Sequence, residues 1–286
     1  MAIGVGNTIL ASDYNSIQST VASILGSGSG DRGYGQAVSS GQVAATNTIT
    51  ASQMQNLKSD LDKIRYHQAN AASTAPSVSA GGVIYASDWS TYSSQASTLD
   101  TNRLSIASEQ ATLTTGVNPQ IASGTWNNNR THIVTASFGS ADIARYFFNA
   151  GGEIRIIPTM SGHSSSTTKG GRWNNLFTTA GSIRFRAYDT VASGGTGSSI
   201  GWYNLSGTQQ IFTIVDSGTY SNNDLTITAS KTATVLTLNI QYNDDGSTGI
   251  IDENVDGTLT STVSHYRATG SYVSVTGPTI STTQAP

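Results

Sequence analysis

The sequence predicts an α+β fold, with a helical N-terminal part of repeated capped helices over residues 1–122 and an all-β, antiparallel, sandwich-like domain over residues 123–286. Two observations carry the prediction. Thr8-Ile9-Leu10-Ala11-Ser12-Asp13 recurs as Thr48-Ile49-Thr50-Ala51-Ser52-Gln53 and, more loosely, as Val83-Ile84-Tyr85-Ala86-Ser87-Asp88, at offsets of 40 and 35 residues; such a period is the signature of a repeated supersecondary unit. From about Ser123 onward, short runs alternate apolar and polar residues between clusters of Gly, Asn, Asp and Ser, which is the texture of a β-sandwich.

Each repeat reads as an extended segment feeding a helix. Ser12, Ser52 and Ser87 are the expected N-caps, offering hydroxyls to the unpaired amides of the first turn, and Ser52 with Gln55 completes an S-x-x-Q capping box. Ile17, Val21, Ile24 and Leu25 then fall at helical spacing, as do Leu57, Leu61 and Ile64 in the second copy. The first helix is expected to stop at Gly26, with Gly26-Ser27-Gly28-Ser29-Gly30 a flexible loop. The third helix is read as longer, because Trp89, Tyr92, Ala96, Leu99, Arg103, Ile106, Gln110 and Leu113 step by three and four as an a/d seam. Such stripes fit packing against the chain's own core or a seam between chains. Helices this short and rich in Ser and Gln need support from neighbours, whether a partner chain or a larger assembly.

In the second part the candidate strands are His132–Phe138, Gly152–Thr159, Ser182–Tyr188, Gln210–Asp216, Leu225–Ala229, Val235–Asn243 and Tyr272–Thr276. Short helices are expected at Ser140–Asn149, stopped by Gly151, and at Arg172–Ala180.

Only 11% of the 286 residues are charged and the net charge is −3, where soluble domains usually carry about 25%. A surface polar through hydroxyls and amides has little long-range field, so neither nucleic acid nor anionic lipid is an expected partner. The absence of cysteine excludes disulfides and thiolate chemistry. The first residues have neither a basic n-region nor an apolar h-region and no window approaches a membrane span, so synthesis in a cytoplasm is expected.

Enzyme constellations are weak, and no catalytic or cofactor-binding residue is assigned. The chain has three glutamates, Glu109, Glu153 and Glu253, and pairing Glu153 with Asp189 or Asp216 across a glycosidic bond has less support than a salt-bridged role. His67, His132, His163 and His265 lack metal-ligand spacing. The metal candidate is calcium at Asp252, Asn254 and Asp256, in a D-x-N-x-D-G run ending at Gly257, with Asp244 and Asp245 as further oxygen donors. An EF-hand would have a bidentate Glu where Val263 stands, and an ordinary hairpin turn accounts for the same residues. Gly194-Gly195-Thr196-Gly197-Ser198-Ser199 has no Lys for a phosphate and reads as a loop. Trp173, Trp202, Tyr203 and Tyr220 could stack on sugars, with core packing the default for the two tryptophans.

Gly6 to Asn15, the loop Leu25 to Gln36, the end of the second copy Asp62-Lys63-Ile64-Arg65-Tyr66-His67-Gln68, and Ala144 to Arg155 together resemble virion structural proteins of tailed phages, most closely those of T4-like myophages that infect cyanobacteria. The resemblance implies a virion component and carries no catalytic or binding residues. The expected function is therefore a non-enzymatic structural protein, tail-associated as a fibre, neck appendage or baseplate periphery, docking through its N-terminal helices with the β domain projecting. Capsid decoration and a glycan-binding adhesin module are the alternatives. The expected partners are other virion proteins, further copies of the chain in a homo-oligomer, and a host surface glycan.

Overall fold

A computed structural model describes residues 9–246 and 253–285. The chain divides into two compact units: the first comprises the chain through Thr112 with Arg145–Gly151 and Arg267–Thr276, and the second comprises Leu113–Ala144, Gly152–Tyr266 and the residues from Gly277.

The first unit is built on α1 (Ala11–Leu25), α2 (Ala51–Ala69) and α3 (Ala86–Thr101). The sequence repeat is a structural one. Tyr14, Ile17, Val21 and Ile24 of α1 align at the two offsets with Met54, Leu57, Leu61 and Ile64 of α2 and with Trp89, Tyr92, Ala96 and Leu99 of α3, and all twelve are buried. At about 1.5–3 kcal/mol for each large side chain fully buried, this shared core stabilises helices that their propensity does not. The serines, however, do not cap. The helices begin one residue earlier, at Ala11, Ala51 and Ala86, with Leu10, Thr50 and Tyr85 as N-caps. The acid or amide three residues on reaches back instead: Leu10 N–H donates to Asp13 Oδ2 at 2.9 Å, Thr50 N–H to Gln53 Oε1 at 2.7 Å, and Tyr85 N–H to Asp88 Oδ2 at 3.0 Å.

The three helices run parallel. Their starts lie together, Tyr14 Oη donating to Gln53 O at 3.1 Å, and so do their ends, Gln68 Nε2 donating to Leu99 O at 2.9 Å. Each crossover is an extended strap that runs back between two helices without joining a sheet, and its backbone groups need partners. Polar helix residues provide them. Asn15 bonds both the N–H and the C=O of Val43 at 2.8 Å, and Gln18 donates to Ser40 O at 3.0 Å. From α2, the fully buried Asp60 accepts from Ser39 N–H and Ser40 N–H, at 2.9 and 2.7 Å to Oδ2. The second strap repeats the scheme: Gln55, equivalent to Asn15, donates to Val78 O at 2.9 Å, Gln95, equivalent to Asp60, accepts from Thr74 N–H at 3.4 Å, and Tyr92 Oη donates to Pro76 O at 2.7 Å. Much of the support these polar helices need thus comes from the chain's own straps.

The helix ends are closed by a cap. The glycine-rich loop, read from sequence as flexible, is tied down: Tyr34 N–H bonds Ile24 O at 2.8 Å, and Gly35 N–H and Gln36 N–H bond Gly26 O and Leu25 O at 2.9 Å. Gly33 has φ +99°, and a Cβ there would stand 2.2 Å from Ser27 O, so only glycine fits. The second half of α4 (Ala141–Asn149) covers this loop, Arg145 donating to Arg32 O at 2.8 Å and Asn149 to Gly33 O at 3.1 Å. Parts of three segments of the phage resemblance meet here, Leu25–Gln36, Asp62–Gln68 and the Arg145–Gly151 portion of the last: Gln68 donates to the Tyr34 hydroxyl at 3.0 Å, and the His67 ring lies edge-on to Tyr34 at 4.8 Å. The cap also ends α3 early. Tyr34 Oη donates to Arg103 O, Arg103 pairs with Asp31, and Arg32 pairs with Asp100. Arg103, Ile106, Gln110 and Leu113 therefore lie beyond the helix, and the expected long seam ends at Leu99.

The second unit is an antiparallel, sandwich-like β structure. Its strands are β1 (Ala111–Val117), which begins in the first unit, β2 (Gln120–Ala122), β3 (Thr125–Trp126), β4 (Arg130–Ser137), β5 (Glu153–Ser161), β6 (Ile183–Phe185), β7 (Thr190–Val191), β8 (Gln209–Val215), β9 (Asp224–Lys231), β10 (Val235–Asn243), β11 (Val255–Asp256), β12 (Thr258–Ala268) and β13 (Thr279–Ala285). One sheet has the order β1-β12-β5-β6-β7 with β2 also on β12; a second has the order β13-β4-β10-β9-β8; β11 and β3 form a ribbon. In β10 the alternation is strict: Leu236, Leu238, Ile240 and Tyr242 are buried and the residues between are half-exposed. His132 of β4 bonds Ser261 of β12 at 2.8 Å, joining the two sheets through a buried polar pair. Helix α5 (Lys169–Ala180) packs Trp173 and Phe177 against Tyr242, at ring distances of 6.3 and 5.7 Å. Tyr272–Thr276, expected as a strand, is a non-strand segment of the first unit, and the last strand is β13.

Candidate functional site

The acidic run singled out as a calcium candidate is organised by protein cations and amides. Asp252 lies outside the described residues. Asp256, on β11, turns its carboxylate to the start of α5, accepting from Ser164 N–H at 2.5 Å and Gly170 N–H at 3.2 Å. Although partial burial works against ionisation, hydrogen bonds from Ser164 and Thr168 hold the Asp256 carboxyl down to about 2. Asp244 makes a fully buried ion pair with Lys169 at 2.9 Å, and the same ammonium donates to Glu253 O at 3.0 Å. The Tyr220 hydroxyl donates to the Glu253 carboxylate; burial first, and then this bond, raise it to about 12. Lys169 thus supplies a resident positive charge at Asp244, one of the carboxylates that the sequence offers to a metal. Among the described residues, no cluster of three or more His, Cys, Asp or Glu is placed to hold a metal ion.

The carboxylates considered for hydrolysis each have an arginine. Glu153 accepts from Arg155 at 2.7 Å, Asp189 is clamped by both arms of Arg186 at 2.7 and 2.6 Å, and Asp216 accepts from Arg172. His67 and His132 are buried, and desolvation lowers each to about 4, leaving them neutral near pH 7. Of the candidate sugar-stacking aromatics, Trp173, Trp202 and Tyr220 are buried, Trp202 beneath the Lys231 ammonium at 4.7 Å from its ring centroid. Tyr203 lies against Tyr188, which is exposed and was missed because its position reads as a strand end.

A different feature marks the first unit. Where its three helix starts gather, Leu10 is 57% exposed, Tyr85 64% and Val83 72%. Leu10 and Tyr85 are the N-cap residues of the first and third repeats, where a polar cap would contribute about 1 kcal/mol. Apolar side chains there forfeit that contribution and face solvent. Departures from a local rule without a folding gain concentrate at functional surfaces, and this end of the bundle is the candidate docking surface. The repeat motif located the surface, but spacing alone did not show that the residue before each alanine points outward.

No protein-family model matches the chain, and no curated protein and no solved structure is significantly similar to it.

Proposed function

We propose that the chain is a non-enzymatic structural protein of a tailed-phage particle, associated with the tail as a fibre, neck-appendage or baseplate-peripheral component. It attaches through the start-of-helix end of its repeat unit, and the β unit projects. The observation that carries this reading is the exposed Leu10, Val83 and Tyr85 on a unit whose helices already share a closed core. Apolar residues left outside a satisfied core are available to a neighbouring virion subunit or to another copy of the chain. The segments that resemble virion proteins supply the particle, and the meeting of three of the four in one cap gives those three a common structural role.

The test is localisation with a perturbation. Labelled antibody against the chain is applied to the phage particle that carries it, and particles are compared with and without the double substitution Leu10→Asp, Tyr85→Asp. Label on the tail, lost on substitution while the purified protein keeps its wild-type melting temperature, is the expected result. Label on capsid faces, or no chain in the particle, overturns the reading.

A further inference from the structure

Helix α2 carries a groove of about 470 Å³ in which an aromatic wall, ammonium groups and hydroxyls converge. Gln55, Lys58, Asp62, Lys63 and Tyr66 line it from the helix, Ser77 from the following strap, and Tyr272 at the end beside Tyr66. Tyr66 and Tyr272 lie with ring centroids 5.2 Å apart and planes tilted by 31°, so Tyr272, 46% exposed, is a ring backed by another and held in place.

The charges in the groove face different ways. Asp62 directs Oδ1 to the N–H and hydroxyl of Ser73, at 2.9 and 2.6 Å, and Asp60 beneath the groove directs its oxygens to the strap amides. Each carboxylate thus bonds the following or preceding strap and also holds one ammonium. Lys58 and Lys63, which pair with Asp62 and Asp60 at 2.7 and 2.8 Å, keep about a fifth of their side-chain surface in solvent and Asp62 about a quarter, whereas Asp60 is fully buried. The groove therefore presents two ammonium groups against one partly exposed carboxylate, with hydroxyls and an aromatic face, on a chain whose net charge is −3.

We propose that this groove binds an acidic saccharide. The Tyr272 ring stacks on the C–H face of a pyranose, the lysines receive a carboxylate, and Gln55 and Ser77 meet ring hydroxyls. An acidic peptide shares the charge but has no sugar face to set on the tyrosine. This site is on α2 and Tyr272, apart from the exposed Leu10, Val83 and Tyr85, and does not depend on where the chain sits in a particle.

The experiment titrates the full chain by calorimetry with hexagalacturonate, the neutral maltohexaose and hexaglutamate. Hexagalacturonate is expected to bind most tightly, to weaken as salt rises from about 50 to about 500 mM, and to bind about tenfold more weakly to Tyr272→Ala. Lys58→Gln weakens it too and leaves the Asp60–Lys63 pair in place, while Tyr188→Ala, an exposed tyrosine outside the groove, leaves it unchanged. Unaltered melting temperatures show that the variants are folded. No binding of hexagalacturonate at about 5 mM, where even a weak site of about 4 kcal/mol would fill, overturns the proposal. So does equal binding of maltohexaose, or equal binding of hexaglutamate with no effect of Tyr272→Ala.

Discussion

Replacing Asp60 by alanine tests whether the straps, rather than helix propensity, hold the repeat unit together. The carboxylate is fully buried and accepts from Ser39 N–H, Ser40 N–H and the Lys63 ammonium, all within 3 Å. Removing it leaves two strap amides without their acceptor and an ammonium without its counter-charge. Losing one partner of such a buried charged cluster costs about 3–5 kcal/mol, a large share of the roughly 5–15 kcal/mol that stabilises a typical domain. Propensity alone gives the opposite sign, since alanine is the better helix former by up to about 0.7 kcal/mol. The equivalent positions grade the effect: Gln95→Ala removes one exposed 3.4 Å bond and is expected to cost under about 1 kcal/mol, and Thr20→Ala, whose hydroxyl bonds Ser16 O within its own helix, close to nothing. Urea unfolding gives the three stabilities, and hydrogen exchange reads the Ser39 and Ser40 amides directly. Asp60→Ala within about 1 kcal/mol of wild type, or unchanged protection of those amides, would refute the strap argument.

Acid should destabilise the fold through His67 and His132. Each is held near 4 against an ordinary 6.5, so the unfolded chain binds more protons between those values, and stability present above pH 6.5 is lost as pH falls towards 4, by about 3 kcal/mol for each histidine; a flat denaturation midpoint over that window refutes it. Lys169→Met leaves Asp244 buried without its cation and is expected to cost about 3–5 kcal/mol, with much of the loss recovered by adding Asp244→Leu. Because Lys169 already supplies the positive charge there, calcium or a chelator should leave the wild-type melting temperature unchanged, and a rise of several degrees with calcium contradicts that assignment. Gly33→Ala forces a side chain at φ +99° into the Ser27 carbonyl and should destabilise by more than about 2 kcal/mol, read by thermal unfolding; a change below about 0.5 kcal/mol refutes the tight packing of the loop.

The repeat was legible because each copy keeps its apolar stripe in register, so periodicity and self-similarity gave the same three helices. The capping residues were misplaced by two positions, since Ser at the second helical position satisfies the same pattern as Ser at the cap. The polar helix residues Asn15, Gln55, Asp60 and Gln95 were legible only as composition; that they serve straps from 20 to 28 residues away is tertiary information. The eleven-residue β12 escaped because its inward face mixes Leu259 and Val263 with Ser261 and His265, so no apolar alternation marks it. At the acidic run spacing shows which oxygens are near one another, and not that Lys169, 75 residues before Asp244, pairs with that carboxylate. The groove on α2 was invisible because Tyr272 comes to Tyr66 from more than 200 residues away.

The cap of the repeat unit also sets a timetable. Its glycine loop is complete at residue 36, yet Arg145 and Asn149, which close over that loop, are made about a hundred residues later, and Ser274, which accepts a bond from Gln36, more than two hundred later. At roughly 5–20 residues per second, the three helices wait many seconds for the groups that finish them. A chain broken off before residue 276 carries every repeat and still lacks part of its own closure. The unit is therefore finished only once residue 276 has been made, and products cut short before it enter assembly, if at all, with an unfinished part.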